Sequence, residues 1–276
     1  MIKRLFLSLL IAFQPAIALA VPDEIYVDPA IAADSGSGTI GSPYGDVQYA
    51  LNNVNHGGDG ARINVKAGTA EVLASGGLTL ATYHSTNGAP SATAPFIIQG
   101  YTSAAGDGGI AEFTGTANSA AFWVGTTTAG ADVDYATFRD LKITTAQASG
   151  YAINIDNNIT FLNVELISNH GGIDVDQGTV DYCKISYVDS GGIAGAFGAV
   201  SATNNYLVQT SGSLVAAISG CNPINKNIVN VRASTVASFG ALTTTSSVAT
   251  TITNNTVLAN FSSGTSNANG IRVYNP

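Results

Sequence analysis

Apolar positions recur along the second half of this chain in one repeated pattern. An apolar residue is followed three positions later by a corner residue, and two positions after that by a second apolar residue. The copies are Phe138-Leu141-Ile143, Phe161-Val164-Leu166, Val180-Cys183-Ile185, Ala202-Asn205-Leu207, Ile224-Asn227-Val229 and Ile252-Asn255-Val257. Their middle positions lie 23, 19, 22, 22 and 28 residues apart. A second pattern follows each copy, a Gly-rich turn and then a short alternating strand. It reads "GYAINID" (150–156), "GGIDVD" (171–176), "GGIAGAF" (191–197), "GSLVAAI" (212–218), "GALTTT" (240–245) and "GIRVYN" (270–275).

Each period of about 22 residues therefore carries two or three short strands joined by tight turns. None has room for a ten-residue amphipathic helix, which excludes leucine-rich and βαβ architectures. A chain that coils once per period stacks every strand on its predecessor and buries the inward Ile, Val and Leu in one continuous core. Asn205, Asn227 and Asn255 then fall at the same turn of successive coils, where their amides can form a hydrogen-bonded ladder.

The first part of the chain reads differently. Val47, Ala50, Leu51 and Val54 follow the i, i+3, i+4, i+7 spacing of a helix. Ser42 is the expected N-cap, Pro43 the first helical residue and Asp46 a first-turn acid, with Asn55-His56-Gly57-Gly58 as the stop. Such a helix would cover the open end of a coil and block edge-to-edge pairing.

Several stretches resemble the pectate-lyase-like superfamily of right-handed parallel β-helices. "TITNNTVLANFSSGTSNANGIRV" (251–273) is similar to its repeat. "IYVDPAIAADSGSGTIGSPYGDVQYALNNV" (25–54), "INVKAGT" (63–69), "FIIQGY" (96–101) and "DYATFRDLKIT" (134–144) resemble its opening. The resemblance implies an all-β, single-domain right-handed parallel β-helix, a solenoid with a short N-terminal capping α-helix. The first strand and helix would occupy 25–58 and regular coils about 63–276. It also implies a polysaccharide partner lying along the first sheet. Lyases, hydrolases, epimerases and non-catalytic adhesins share this architecture, so the fold alone does not choose among them.

Composition narrows the setting. Residues 1–20, with Lys3 and Arg4 before an apolar run and Ala18-Leu19-Ala20 at the end, read as a secretory signal. The expected location is secreted, extracellular or periplasmic. The run is too short for a membrane span. The remaining chain, 21–276, holds 8 basic and 18 acidic residues. That balance argues against nucleic acid and anionic membranes as partners. Cys183 and Cys221 fall in different parts of the coil and are expected as two free, buried thiols. The sequence stops inside a repeat, so a continuation of the chain or an oligomer partner is expected at the C-terminal end.

Stacking the second pattern places candidate chemistry on one face. With Ile153, Ile155, Ile173 and Val175 inward, one outward column reads Trp123, Asn154, Asp174, Ala194. The next reads Gly125, Asp156, Asp176, Ala196. Neighbours in a column lie about 4.8 Å apart, and alternate residues along a strand about 6.5–7 Å apart. Asp156, Asp174 and Asp176 are the candidate catalytic residues, since carboxyls about 5 Å apart suit retaining and about 6.5–9.5 Å apart inverting glycoside hydrolysis. The same three are the candidate Ca²⁺ ligands, because hard cations take carboxylate oxygens. Trp123, Asn154 and Arg272 are the candidate substrate-binding residues, Trp123 offering an apolar face to a sugar ring. Arg272 would stand four strands from Asp174, roughly 19 Å away. Plain solvation of an outward strand face also accounts for the aspartates.

Elsewhere, Lys142, Glu165 and Lys184 share one offset and are expected as a surface ion-pair stack. His170 is expected as a structural turn residue. The paired adjacent aspartates and Gly-His-Gly of polygalacturonase-like enzymes are absent. Two functions remain: an enzyme, lyase or hydrolase, acting on uronate-containing glycans, or a non-catalytic adhesin or surface spike.

Overall fold

A computed structural model describes residues 23–32, 35–54, 60–74, 77–79, 90–115, 122–123, 135–147, 149–155, 158–188, 191–195, 199–210, 216–233, 239–244, 251–261 and 268–273. It is an all-β parallel solenoid with a short capping helix. Every pairing between its strands is parallel, and they form one fifteen-stranded and one eight-stranded sheet. Among the described residues no helix is long and apolar enough to cross a membrane.

The register follows the periodic pattern, with one irregularity between Val200 and Ala202. In the fifteen-stranded sheet Phe138, Phe161, Val180, Ala202, Ile224 and Ile252 pair in succession. So do Ile143, Leu166, Ile185, Leu207, Val229 and Val257. In the eight-stranded sheet Ile153, Ile173, Ile193, Ile218 and Leu242 form a third column. All are fully buried except Ile252 and Val257 on the last coil, which are partly exposed. Each enclosed Val, Leu, Ile or Phe side chain contributes roughly 1.5–3 kcal/mol of transfer free energy. The stacking is close enough for the Phe138 and Phe161 rings to lie nearly parallel, centroids 5.1 Å apart.

A sharp corner precedes the middle residue of each copy. Asp140, Asn163, Tyr182, Asn204, Lys226 and Asn254 hold φ between 53° and 56°, a left-handed conformation that costs a non-glycine residue about 1–2 kcal/mol. The later corners recover this through amides. Asn205 Nδ2 donates to Val180 O (2.8 Å) and to Asn227 Oδ1 (3.0 Å), and Asn227 Nδ2 donates to Ala202 O (2.9 Å) and Asn255 Oδ1 (3.0 Å). The backbone N–H groups of Cys183, Asn205 and Asn227 donate to the Oδ1 of the next Asn at 2.9–3.0 Å. This is the expected ladder. It ends at Cys183, whose thiol donates to Asp181 O (3.3 Å) where an amide would bridge to the next coil.

The cap, α1 (Val47–Asn53), buries Val47, Ala50 and Leu51 against the first coil. Its N-cap is Asp46, which accepts from Tyr49 N at 2.5 Å, and not Ser42 as the sequence suggested. The reason is backbone demand. Residues 39–44 are already paired: Ser42 N bonds Thr39 O, Tyr44 N bonds Tyr26 O, and Asp28 N bonds Tyr44 O. Helix geometry starts only once those bonds are spent.

Cys183 and Cys221 are free and buried, as expected. Of the expected Lys142, Glu165, Lys184 stack, Lys184 pairs with Glu165 at 2.5 Å, whereas Lys142 turns to Glu112 on the strand to its other side, at 3.3 Å. Exposed pairs of this kind add little stability.

Candidate functional site

The eight-stranded sheet carries the column built from the sequence as a line of backbone pairings. Strands Phe122–Trp123, Tyr151–Ile155, Gly171–Val175, Ile193–Gly195, Ile218–Ser219, Phe239–Thr244 and Ala268–Val273 follow one another. Trp123, Asn154, Asp174, Ala194, Ser219, Thr243 and Arg272 pair in that order. Asn154 and Asp174 are therefore next-strand neighbours. Trp123 lies one strand before Asn154, and Arg272 lies four strands beyond Asp174. Residues 124–134, 156–157 and 196–198 are outside the described residues. Asp156, and with it the rest of the second column apart from Asp176, is therefore not placed.

Two local features hold Asp174 where it is. Ile173 and Val175 bury their side chains on either side of it, and strand alternation turns Asp174 outward. The Gly-Gly pair that opens the strand lets the coils close up. A Cβ on Gly172 would lie 2.1 Å from Gly192 O, and one on Gly171 would lie 3.0 Å from the Tyr151 ring. Tyr151 spreads across Gly171 and carries its hydroxyl to Gly191.

Asp176 departs from the expected geometry. The strand ends at Val175, and Asp176 is an exposed residue of the following bend. The 6.5–7 Å spacing of alternate residues in one extended strand does not apply to it. Its charge still acts on Asp174. The Asp174 carboxyl is pushed above its ordinary value, first by burial and then by Asp176. Asp174 makes no hydrogen bond or ion pair among the described residues. Its charge also reaches the Tyr151 hydroxyl, which burial pushes up to about 12.

Tyr151 was not singled out in the sequence, although the signal was present. It stands where the next two copies have the first glycine of Gly-Gly, so a bulky ring there needs empty positions in the adjoining coils. His170 serves the turn, its Nδ1 lying 2.9 Å from Gly150 O. Around it Gln147 Nε2 donates to Ser168 Oγ (2.8 Å), which donates to Gly171 O (2.5 Å). These bonds fix the corner from which the Asp174 strand departs.

For a cation, the described residues supply two neighbouring carboxyls, Asp174 and Asp176. Among the described residues no three His, Cys, Asp or Glu side chains gather at one point. Calcium takes six to eight oxygens, so two carboxyls alone make a partial site.

Comparison of the chain with known protein families, with curated proteins and with solved structures finds no match. The column and its electrostatics are thus the ground for a functional reading.

Proposed function

We propose that this is a secreted protein that engages extracellular polysaccharide along the outer face of its eight-stranded sheet, acting as a lyase or hydrolase at Asp174 and Asp176. One observation carries the reading: Asp174 is a partly enclosed carboxyl, biased toward its protonated form, with no partner among the described residues. A structural carboxylate at such a position is normally satisfied. One kept short of partners beside a second, exposed carboxylate suits an acid and base pair. Asn154, one strand away, offers amide hydrogen bonds to a sugar hydroxyl. The register continues to Trp123 in one direction and to Arg272 in the other, along the axis a linear glycan would follow.

In the hydrolase form, Asp174 delivers a proton to the glycosidic oxygen and Asp176 takes one from the attacking water. In the lyase form, bound Ca²⁺ would supply charge neutralisation for a uronate, held by Asp174, Asp176 and Asp156. A second reading is a non-catalytic adhesin or spike. The small side chains of Ala194, Ser219 and Thr243, which follow Asp174 in the column, favour it.

The deciding experiment incubates the full-length protein with a panel of uronate-containing and neutral polysaccharides, with and without Ca²⁺. New reducing ends and unsaturated uronate products are measured. Depolymerisation that disappears in Asp174→Asn is expected. Binding without any change in chain length would transfer the assignment to the adhesin reading. Neither binding nor cleavage would remove both.

A further inference from the structure

A second carboxyl pair lies at the opposite end of the chemistry, under the capping helix. Glu71 opens the strand Glu71–Leu73, which pairs with Ala111–Gly115 and sets Glu71 beside Phe113. Its alternation with exposed Val72 and buried Leu73 turns the carboxyl inward, and only 5% of the residue is exposed. It lines a cavity of about 260 Å³ together with Asp46, Gln48, Leu73 and Leu78.

The pair holds the start of α1 from two sides. Asp46 accepts from Tyr49 N as the helix's own cap. Glu71, from a different strand, lines the same cavity as Asp46, so the two carboxyls face one another beside the Val47 N–H at the helix start. Two carboxyls enclosed together in this way escape mutual repulsion only while one of them keeps its proton. Among the described residues lining the cavity, α1 brings only Asp46 as a titratable neighbour, and the strand Leu78–Thr79 brings none. On the adjoining strand Glu112 is engaged with Lys142.

We propose that Glu71 and Asp46 form a proton-operated latch that holds α1 over the N-terminal end of the solenoid, fastened when the pair shares a proton and loosened when both carboxyls ionise. The direction of the effect follows from burial. Enclosure first, and the Asp46 charge second, push Glu71 from 4.5 up to about 7, against the pull of the Val47 N–H. The folded chain thus keeps a proton that the unfolded chain has released. Stability from this group is complete below pH 4.5 and is lost as the pH rises to about 7. Ionised, Glu71 and Asp46 repel across the helix start, and the cap that shields the first coil opens more often.

The test compares the full-length protein with Glu71→Gln, which keeps an acceptor for Val47 N and a donor for Asp46. Urea unfolding is followed from pH 4.5 to 8. The wild-type unfolding constant is expected to rise on the order of a hundredfold more than that of the variant. Tyr49 amide exchange, corrected for intrinsic base catalysis, should accelerate over the same range in the wild type alone. Equal pH slopes for the two proteins would overturn the latch. Should the variant fail to fold, a carbon-13 titration of the wild-type Glu71 carboxyl decides. A midpoint near 7 supports the proposal, and one near 4.5 overturns it.

Discussion

Two polar columns run along this solenoid, and they are built on opposite terms. The corner column of Asn205, Asn227 and Asn255 points inward, and its amides bond carbonyls, backbone N–H groups and one another. The face column of Asn154 and Asp174 points outward, and its carboxyl meets a second carboxylate instead of a donor. Both are polar residues stacked at strand spacing, so stacking alone does not distinguish scaffold from site. Satisfaction does. A ladder that answers its own hydrogen-bonding demand has nothing left to offer a ligand, whereas a partly enclosed acid without a donor does.

The comparison can be broken most forcefully at the centre of the ladder. Asn227 is fully buried and serves four hydrogen-bonding groups of neighbouring residues. Replacing it with Leu strands those groups, and a loss on the order of 4 kcal/mol in urea unfolding is expected. Introducing the amide where the coil has none should cost less. Val164 occupies the same corner but is enclosed among aliphatic neighbours, within a strand that runs unbroken from Ile159 to Ser168. Val164→Asn is expected to lose about 2 kcal/mol by the same measurement.

Cys183 sharpens the contrast, because it stands at the corner next to Asn205 and already donates its own N–H to the Asn205 amide oxygen. Cys183→Asn should therefore lengthen the ladder by one rung, with a change within about 1 kcal/mol of zero. A loss as large as that of Val164→Asn would show that the corner does not read amides as claimed. The smallest effect is expected on the face. Asp174 has a folded-state value above its ordinary 3.8, so its contribution is full below that pH and declines as the pH rises through the raised value. Asp174→Asn should leave neutral-pH stability unchanged or higher by less than about 1 kcal/mol, while removing any activity of the face.

Much of this was legible in the residues. The corner spacing gave every strand pairing from Phe138 to Val257, because inward side chains in a coil can only meet their counterparts one period away. The order Trp123, Asn154, Asp174, Ala194 followed from the Gly-rich turns for the same reason. Local signals were less secure. The helix start slipped from Ser42 to Asp46 because Tyr44 pairs with the first strand and Ser42 with Thr39, a demand that helix-capping preferences do not register. Asp176 looked like a strand residue, but the chain bends after Val175. Glu71 carried a readable sign that went unused: it shares inward parity with Leu73 in a chain that has few charges. What it meets, Asp46, is far away in sequence and belongs to another element, so no local pattern joins the two.

The two thiols give this protein an internal clock. Cys183 and Cys221 sit on different coils, each buried and each with its thiol pushed up to about 12 by that burial. Neither reacts readily with an alkylating reagent until its own coil comes apart. The rates at which the two are trapped therefore time the loosening of two separate places along the rod, and a gap between those rates would reveal from which side it unwinds.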